Sequence, residues 1–240
     1  MRNNLESSLP ANDMPENSGN EADMSKIYIP STNVVDLESR WPTKFHQRFI
    51  KRFFDIAVSL ALLSVVLPLM IVVALLVKIT SKGPIIYKQK RLTIGGKYFI
   101  IYKFRTMATN AEKSTGAKMA DVGDVRITKL GKFLRKSRID ELPQLLNIVI
   151  GDMSLIGPRP ERAEIAYELS QHLPNIHHRI DVKAGLTGLA QIELGYVSTA
   201  ETYKEKLNWD IYYIENYSLW LDLKIVIGTI KVILTGFGAR

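Results

Sequence analysis

IAVSLALLSVVLPLMIVVALLV, Ile56 to Val77, is 22 residues without a charge. As a straight helix it reaches about 33 Å, enough to cross a bilayer core of about 30 Å. Two features point to another geometry. Pro68 stands mid-run, four residues after Ser64, where it removes a backbone hydrogen bond and favours a kink. That leaves two arms of roughly 15–20 Å each, neither long enough to cross. Both flanks are also basic: Lys44, Arg48, Lys51 and Arg52 precede the run, and Lys78, Lys82, Lys88, Lys90 and Arg91 follow it. A spanning helix concentrates Lys and Arg on one side. A helix that enters, bends and leaves by the same face suits both flanks, and a kinked spanning helix is the alternative.

The sequence on either side differs in kind. Residues 1–44 are rich in Asn, Ser, Glu and Asp without apolar periodicity, as expected of a polar, disordered tail. They lack the basic start, apolar run and cleavage site of a signal peptide, so the protein is expected to stay on the cytoplasmic side. The organisation expected is a tail over 1–44, a membrane helix over 45–80 and a domain over 81–240. In that domain Ile85-Ile86-Tyr87 and Tyr98 to Tyr102, separated by Gly95-Gly96, predict a hairpin. Residues 108–124 read as a loop, followed by a basic stretch and then mainly helices. Trp209 to Phe237 mixes apolar residues with Asp222, Lys224 and Lys231, which suits an interfacial amphipathic helix or one packed on the core. The fold class expected is mixed α/β, mostly helical.

A net charge of +8 directs the chain toward polyanions: nucleic acid, anionic lipid or phosphorylated substrates. The absence of cysteine excludes disulfides, thiol nucleophiles and iron–sulfur clusters. His46, His172, His177 and His178 lack the helical spacing of a zinc site.

The stretch RKSRIDELPQLLNIVIG, residues 135–151, reads as a helix. Leu142, Leu145, Leu146 and Val149 would share one face, Pro143 suits a first turn, and Gly151 suits the terminator. Asp140 and Glu141 then sit at its N-terminus, where the macrodipole and the nearby Arg135 and Arg138 favour anions. Adjacent carboxylates of this kind suit Mg²⁺, and an aspartate can also be a nucleophile that becomes an acyl phosphate. Ordinary capping explains the same pair. Downstream, Gly157-Pro158-Arg159-Pro160 mounts one arginine between two prolines, a preset anion clamp. Lys103 and Arg105, leaving the hairpin, are weaker candidates of the same kind.

Taken in order, several segments resemble the bacterial sugar transferases, the small monotopic phosphoglycosyl transferases that start exopolysaccharide, O-antigen and glycoprotein glycan assembly. They are Lys51-Arg52-Phe53-Phe54-Asp55, the proline-containing helix, Tyr102-Lys103-Phe104-Arg105-Thr106-Met107, Asp140-Glu141-Leu142-Pro143-Gln144, Gly151 through Pro160, and Gly185-Leu186-Thr187-Gly188. The resemblance runs from about Lys51 to Thr235 and implies a re-entrant membrane helix broken at Ser64/Pro68 and a mixed α/β catalytic domain resting on the inner leaflet. It implies that Asp140 attacks the donor's β-phosphate, that UMP leaves, and that undecaprenyl phosphate takes the phosphosugar. It implies Mg²⁺ held by Asp140 and Glu141, and phosphate contacts from Arg135, Arg138, Arg159, Lys103 and Arg105. The segment Gly188 to Leu194 departs from the family: leucine stands where many members carry tryptophan, and no Asn-Gly-Arg follows the glutamine. The multi-helix region before the membrane helix of larger members is replaced by the polar tail, as in the minimal form.

The implied partners are a UDP-sugar, polyprenyl phosphate and inner-membrane lipid, with no nucleic acid; the sugar, and whether the chain forms a homo-oligomer, stay open. A non-catalytic basic adaptor binding anionic lipid is the competing reading.

Overall fold

A computed structural model describes residues 45–109, 111, 124–195 and 200–237. The elements are α1 (Phe45–Thr80), β1 (Ile86–Leu92), β2 (Tyr98–Phe104), α2 (Lys129–Lys136), α3 (Gln144–Ile150), β3 (Ser154–Ile156), α4 (Ala163–Ser170), β4 (Gly185–Thr187), α5 (Leu189–Leu194), α6 (Ala200–Glu215) and α7 (Leu219–Thr235). The class is mixed α/β and mostly helical. The tail expected over 1–44 and most of the loop over 108–124 lie outside the described residues.

The chain stays helical through Pro68, so Ser64 and Pro68 lie within one helix of 36 residues. Pro68 withholds a single bond, the one Ser64 C=O would accept, and packing on both sides of that point holds the helix together. The packed stripe is regular. Lys51, Asp55, Ser59, Val73 and Val77 are buried, and Leu63, Val66 and Met70 pack between them on the domain. The mean step is near 3.7 residues, the helical period. Ser64 and Pro68 lie on the exposed side. From Lys51 to Val77 the stripe covers about 39 Å of helix axis. By length and composition α1 is the one helix among the described residues apolar enough to cross a membrane.

The Lys-Arg-Phe-Phe-Asp segment fastens the first half of α1 to three other elements. Lys51 Nζ meets Asp222 Oδ2 of α7 at 2.7 Å. Arg52 donates to the carbonyls of Ile148 and Val149, at 2.5 and 2.7 Å, among the last carbonyls of α3 that the helix itself leaves open. Asp55 Oδ1 accepts from Ser154 Oγ and Leu155 N, at 3.0 and 2.9 Å, next to β3. At the other end, Arg105 donates to Ser81 O, Ser81 Oγ and Lys82 O.

The hairpin forms as expected, β1 antiparallel to β2 with Tyr87 opposite Lys103. Gly95 and Gly96 take φ of 67° and 70° in its turn, a region that L side chains seldom adopt. The far edge of β2 is met by a side chain: Asn147 of α3 accepts from Tyr102 N at 3.1 Å and donates to Ile100 O at 2.7 Å. That pairing corrects the expected inward face of α3. Gln144, Leu145, Asn147 and Ile148 are buried, and Leu146 turns outward, because an amide completes the strand edge where a leucine cannot.

Strands β3 and β4 pair in parallel, Ser154 beside Gly185 and Ile156 beside Thr187. Around them Ile156, Val182, Leu189, Tyr213, Ile214 and Ile225 form one core cluster. Phe99, Ile101, Leu145, Ile148 and Met153 form a second under α1. Each fully buried Leu or Ile there contributes roughly 1.5–3 kcal/mol. Helix α7 packs on the core through Ile225 and Val232, and Trp220, Ile227 and Leu234 are exposed.

Candidate active site

Lys103 comes from the end of β2 and Arg135 from the last turn of α2. Helix α2 is capped by Thr128, whose side chain accepts from Gly131 N at 2.9 Å. Gly131 lies so close to Thr106 that a Cβ there would stand 2.0 Å from the Thr106 carbonyl oxygen. This contact brings Arg135 Nε to Thr106 Oγ1, at 2.9 Å.

After α2 the backbone turns at Arg138, whose φ of 57° makes it the one non-glycine residue with positive φ among those described. Such strain gathers where a neighbouring group must be aimed. Asp140 and Glu141 follow in a 3₁₀ turn, Ile139–Glu141, that precedes α3. The sequence placed them in the first turn of that helix; Pro143 instead caps it, so the helical carboxylate site becomes a separate, tighter turn. Ile139 anchors the turn on Val73, Val77, Phe104 and Leu134.

The two carboxylates are treated differently. Glu141 Oε1 accepts from Lys103 Nζ at 2.8 Å and from Arg159 Nη2, and Oε2 lies 3.3 Å from Arg159 Nη1. Burial alone would raise the Glu141 carboxyl; Arg159, then Lys103, overturn that and hold it well below the usual carboxylate range. Glu141 is therefore ionised. Burial, then the Glu141 charge, raises the Asp140 carboxyl to about 6, against Lys103, Arg135 and Arg159. Asp140 is 7% exposed, and no side-chain hydrogen bond to it is found among the described residues. Burial lowers Lys103, with Glu141 opposing. The result is an open carboxylate facing three cations, one of which, Arg135, makes only the Thr106 bond among the described residues.

Of the residues singled out from sequence, the fold brings together Asp140, Glu141, Lys103, Arg135 and Arg159. It does not bring Arg105, which is engaged at the end of α1 because the orphan carbonyls there need a donor. Arg138 reaches toward the end of α7, with Nη2 3.4 Å from Phe237 O. Arg159 and Lys103 engage the oxygens of Glu141, while Asp140 carries no side-chain hydrogen bond among the described residues. One carboxylate plus phosphate oxygens fits Mg²⁺, which seldom takes an all-protein cage.

Sequence reasoning missed two sets of residues. One is Asn147 and Thr106, which align β2 and Arg135. The other is a buried ion cluster of Arg91, Glu161, Arg179, Tyr203, Lys206 and Asp210 behind the proline-mounted arginine. Its members are scattered along the chain, and the one local signal is Glu161 following Pro160.

Residues 46–236 match the family model described as bacterial sugar transferase. The chain belongs to this family. Among curated relatives, it is 47% identical to the UDP-N-acetylgalactosamine-undecaprenyl-phosphate N-acetylgalactosaminephosphotransferase of Aeromonas hydrophila, over 90% of this chain and 50% of that one. It is 39% identical to the UDP-glucose:undecaprenyl-phosphate glucose-1-phosphate transferase of Caulobacter vibrioides, over 86% and 78%. It is 38% identical to the exopolysaccharide production protein PSS of Rhizobium leguminosarum bv. phaseoli, over 78% and 96%. The chain spans half or less of several longer relatives, including those of Aeromonas and Klebsiella pneumoniae, and most of shorter ones. The family match meets the bacterial sugar transferase resemblance read from the motifs, with nearly the same boundaries.

Proposed function

We propose that this protein transfers a sugar 1-phosphate from a UDP-sugar to undecaprenyl phosphate and releases UMP. The observation that carries the reading is Asp140: an ionisable, unengaged carboxylate set among Lys103, Arg135 and Arg159. A carboxylate oxygen of Asp140 attacks the β-phosphorus of the donor. The bond from that phosphorus to the bridging oxygen breaks, and UMP leaves with the electron pair. The aspartyl phosphosugar is then attacked by an oxygen of undecaprenyl phosphate, which restores the carboxylate and gives an undecaprenyl diphosphosugar. Glu141 keeps Lys103 and Arg159 oriented, and the three cations stabilise charge that builds on the transferring phosphoryl group. Mg²⁺, held by Asp140 with the donor's diphosphate, would neutralise negative charge there.

The names of the relatives support the donor and acceptor classes; they differ in the sugar, among N-acetylgalactosamine, glucose and galactose. Membrane attachment is supported by the exposed outer face of α1, where Val65 and Ile79 are each 76% exposed, and by Leu234 of α7, at 81%. We place the chain on the cytoplasmic face of the bacterial inner membrane, with both ends of α1 on one side in re-entrant fashion. The support is the stripe from Lys51 to Val77: a helix held along about 39 Å by one domain does not leave that domain to cross a bilayer. Single-cysteine labelling at Arg48 and Lys82 in intact spheroplasts is expected to fail at both positions and to succeed at both after lysis.

The enzymatic reading is tested by UMP release from a panel of UDP-sugars with Mg²⁺, with and without undecaprenyl phosphate. Stoichiometric release without acceptor, abolished in Asp140→Asn, is expected. Lipid binding without release from any donor would return the protein to the basic adaptor reading.

A further inference from the structure

The second buried ion cluster acts on the same arginine from behind. Pro158, Arg159, Pro160 and Glu161 form no helix or strand, and two of the four lack an N–H. All four carbonyls are nonetheless bonded. Pro158 O accepts from Gly185 N at 2.8 Å, and Glu161 O accepts from Leu92 N at 3.0 Å. The two carbonyls between them are held by side chains: Pro160 O by Arg91 Nη1 at 3.2 Å, and Arg159 O by Arg179 Nη2 at 2.7 Å.

Arg179 is itself fixed by acids. Its Nε donates to Asp210 Oδ2 of α6 at 2.8 Å, and its Nη1 stands 3.5 Å from Glu161 Oε1. Lys206 and Tyr203 of α6 bind the same Glu161 oxygen, at 2.6 and 2.7 Å. One guanidinium thus serves three acceptors through three different nitrogens. A lysine, a single ammonium on a flexible stem, cannot reproduce that planar fork. Arg179 and Asp210 are both buried, so no solvent competes for these bonds.

An ion cluster that only held α6 to the domain would pair its cations with its acids. This one also grips the peptide of the residue whose side chain faces Glu141. We propose that Arg179, oriented by Asp210 and Glu161, is the positioning residue of Arg159, fixing its peptide so that its guanidinium meets Glu141 and the donor's phosphate. The inference rests on the phosphosugar-transfer reading above. It adds that α6, which contributes no group to the phosphate site, sets the efficiency of phosphate transfer through Arg179.

The test is a double-mutant cycle of Arg179→Lys with Arg159→Lys in detergent-purified full-length protein. The readouts are kcat/KM for UMP release, the Kd for UDP measured without turnover, and Tm. Arg179→Lys is expected to lower kcat/KM on the order of 10- to 100-fold, as misplacement of a charge-stabilising group does. In the Arg159→Lys background the same change is expected to produce little further loss, because both act through one group. Asp210→Asn, which keeps an acceptor for Arg179 Nε, is expected to give a smaller loss with the same non-additivity. Losses that multiply in the Arg159→Lys background, or a cluster so structural that neither variant folds, overturn the proposal. A wild-type protein that neither releases UMP nor binds UDP overturns the functional reading, and this inference with it.

Discussion

Glu141 and Glu161 are both part-buried, both ionised and both gripped by cations, and they lie on either side of Arg159 in sequence. Burial alone would raise Glu161 as it would Glu141, yet Lys206, Arg179 and Arg91 hold it far down. The two clusters differ in what is left over. Around Glu161 the second acid, Asp210, is bonded to Arg179 at 2.8 Å, and Arg179 and Arg91 also hold the carbonyls of Arg159 and Pro160. Around Glu141 the second acid, Asp140, has no such bond among the described residues, and Arg135 makes one through Nε alone. A closed ion network holds structure, whereas an open one holds free energy in reserve for a ligand. Arg159 joins them, its guanidinium in the open cluster and its carbonyl in the closed one.

The sharpest way to break this contrast is Asp140→Asn. It is expected to remove UMP release with or without acceptor, by at least about 10³-fold, because the nucleophile is gone. It is also expected to raise Tm at pH 7.5 by a few degrees, about 1–3 kcal/mol, because an unpaired buried charge is removed. Retained turnover would falsify the aspartyl route.

Glu141→Gln comes next. It leaves Lys103 and Arg159 without their anion, so kcat/KM for UMP release is expected to fall on the order of 10²–10³-fold, with a smaller change in Tm. Glu161→Gln is expected to reverse that balance: roughly 3–5 kcal/mol of stability lost as three cations lose their partner, with about tenfold lost in kcat/KM. Urea melts beside initial rates separate the two. Equal damage to stability in both variants would erase the distinction between an open and a closed cluster.

The smallest expected effect is that of pH. Asp140, raised to about 6, must be ionised to attack, so single-turnover UMP release is expected to fall about fivefold between pH 6 and pH 5. Stability runs the other way. The folded state binds a proton at Asp140 that the unfolded chain, with an ordinary aspartate, does not bind between about pH 4 and 6. The stability associated with that proton is full below about 4 and is lost as pH rises through about 6. The Tm advantage of Asp140→Asn is accordingly expected to vanish in acid, which melting curves at pH 4 and pH 7.5 would show.

Much of this was legible before the fold was known. The hairpin follows from a glycine pair between two β-forming runs, and Gly151 ends α3 in the left-handed conformation its sequence suggested. Asp140, Glu141 and Arg159 could be picked out because each sits in a local pattern, and so could Lys103 beside its strand. Arg105 misled, since a basic residue leaving a strand looks the same whether it faces a phosphate or the end of a helix. Leu146 and Asn147 exchanged faces because periodicity weighs hydrophobicity, and an unpaired strand edge can favour an amide over a leucine. Arg179, Lys206 and Asp210 carried no local mark.

The sequence by itself therefore determined the helix of α1, its apolar character, the family motifs and the Asp140-Glu141 pair as the candidate carboxylates, since these depend on neighbours within a few residues. Only the tertiary structure decided that α1 lies along the domain through Pro68, that Glu141 is occupied while Asp140 is not, and that α6 reaches Arg159 through Arg179. Those depend on which charges meet after distant segments pack. The strength of a charge's interactions is set by distance and burial, quantities that chain order does not contain.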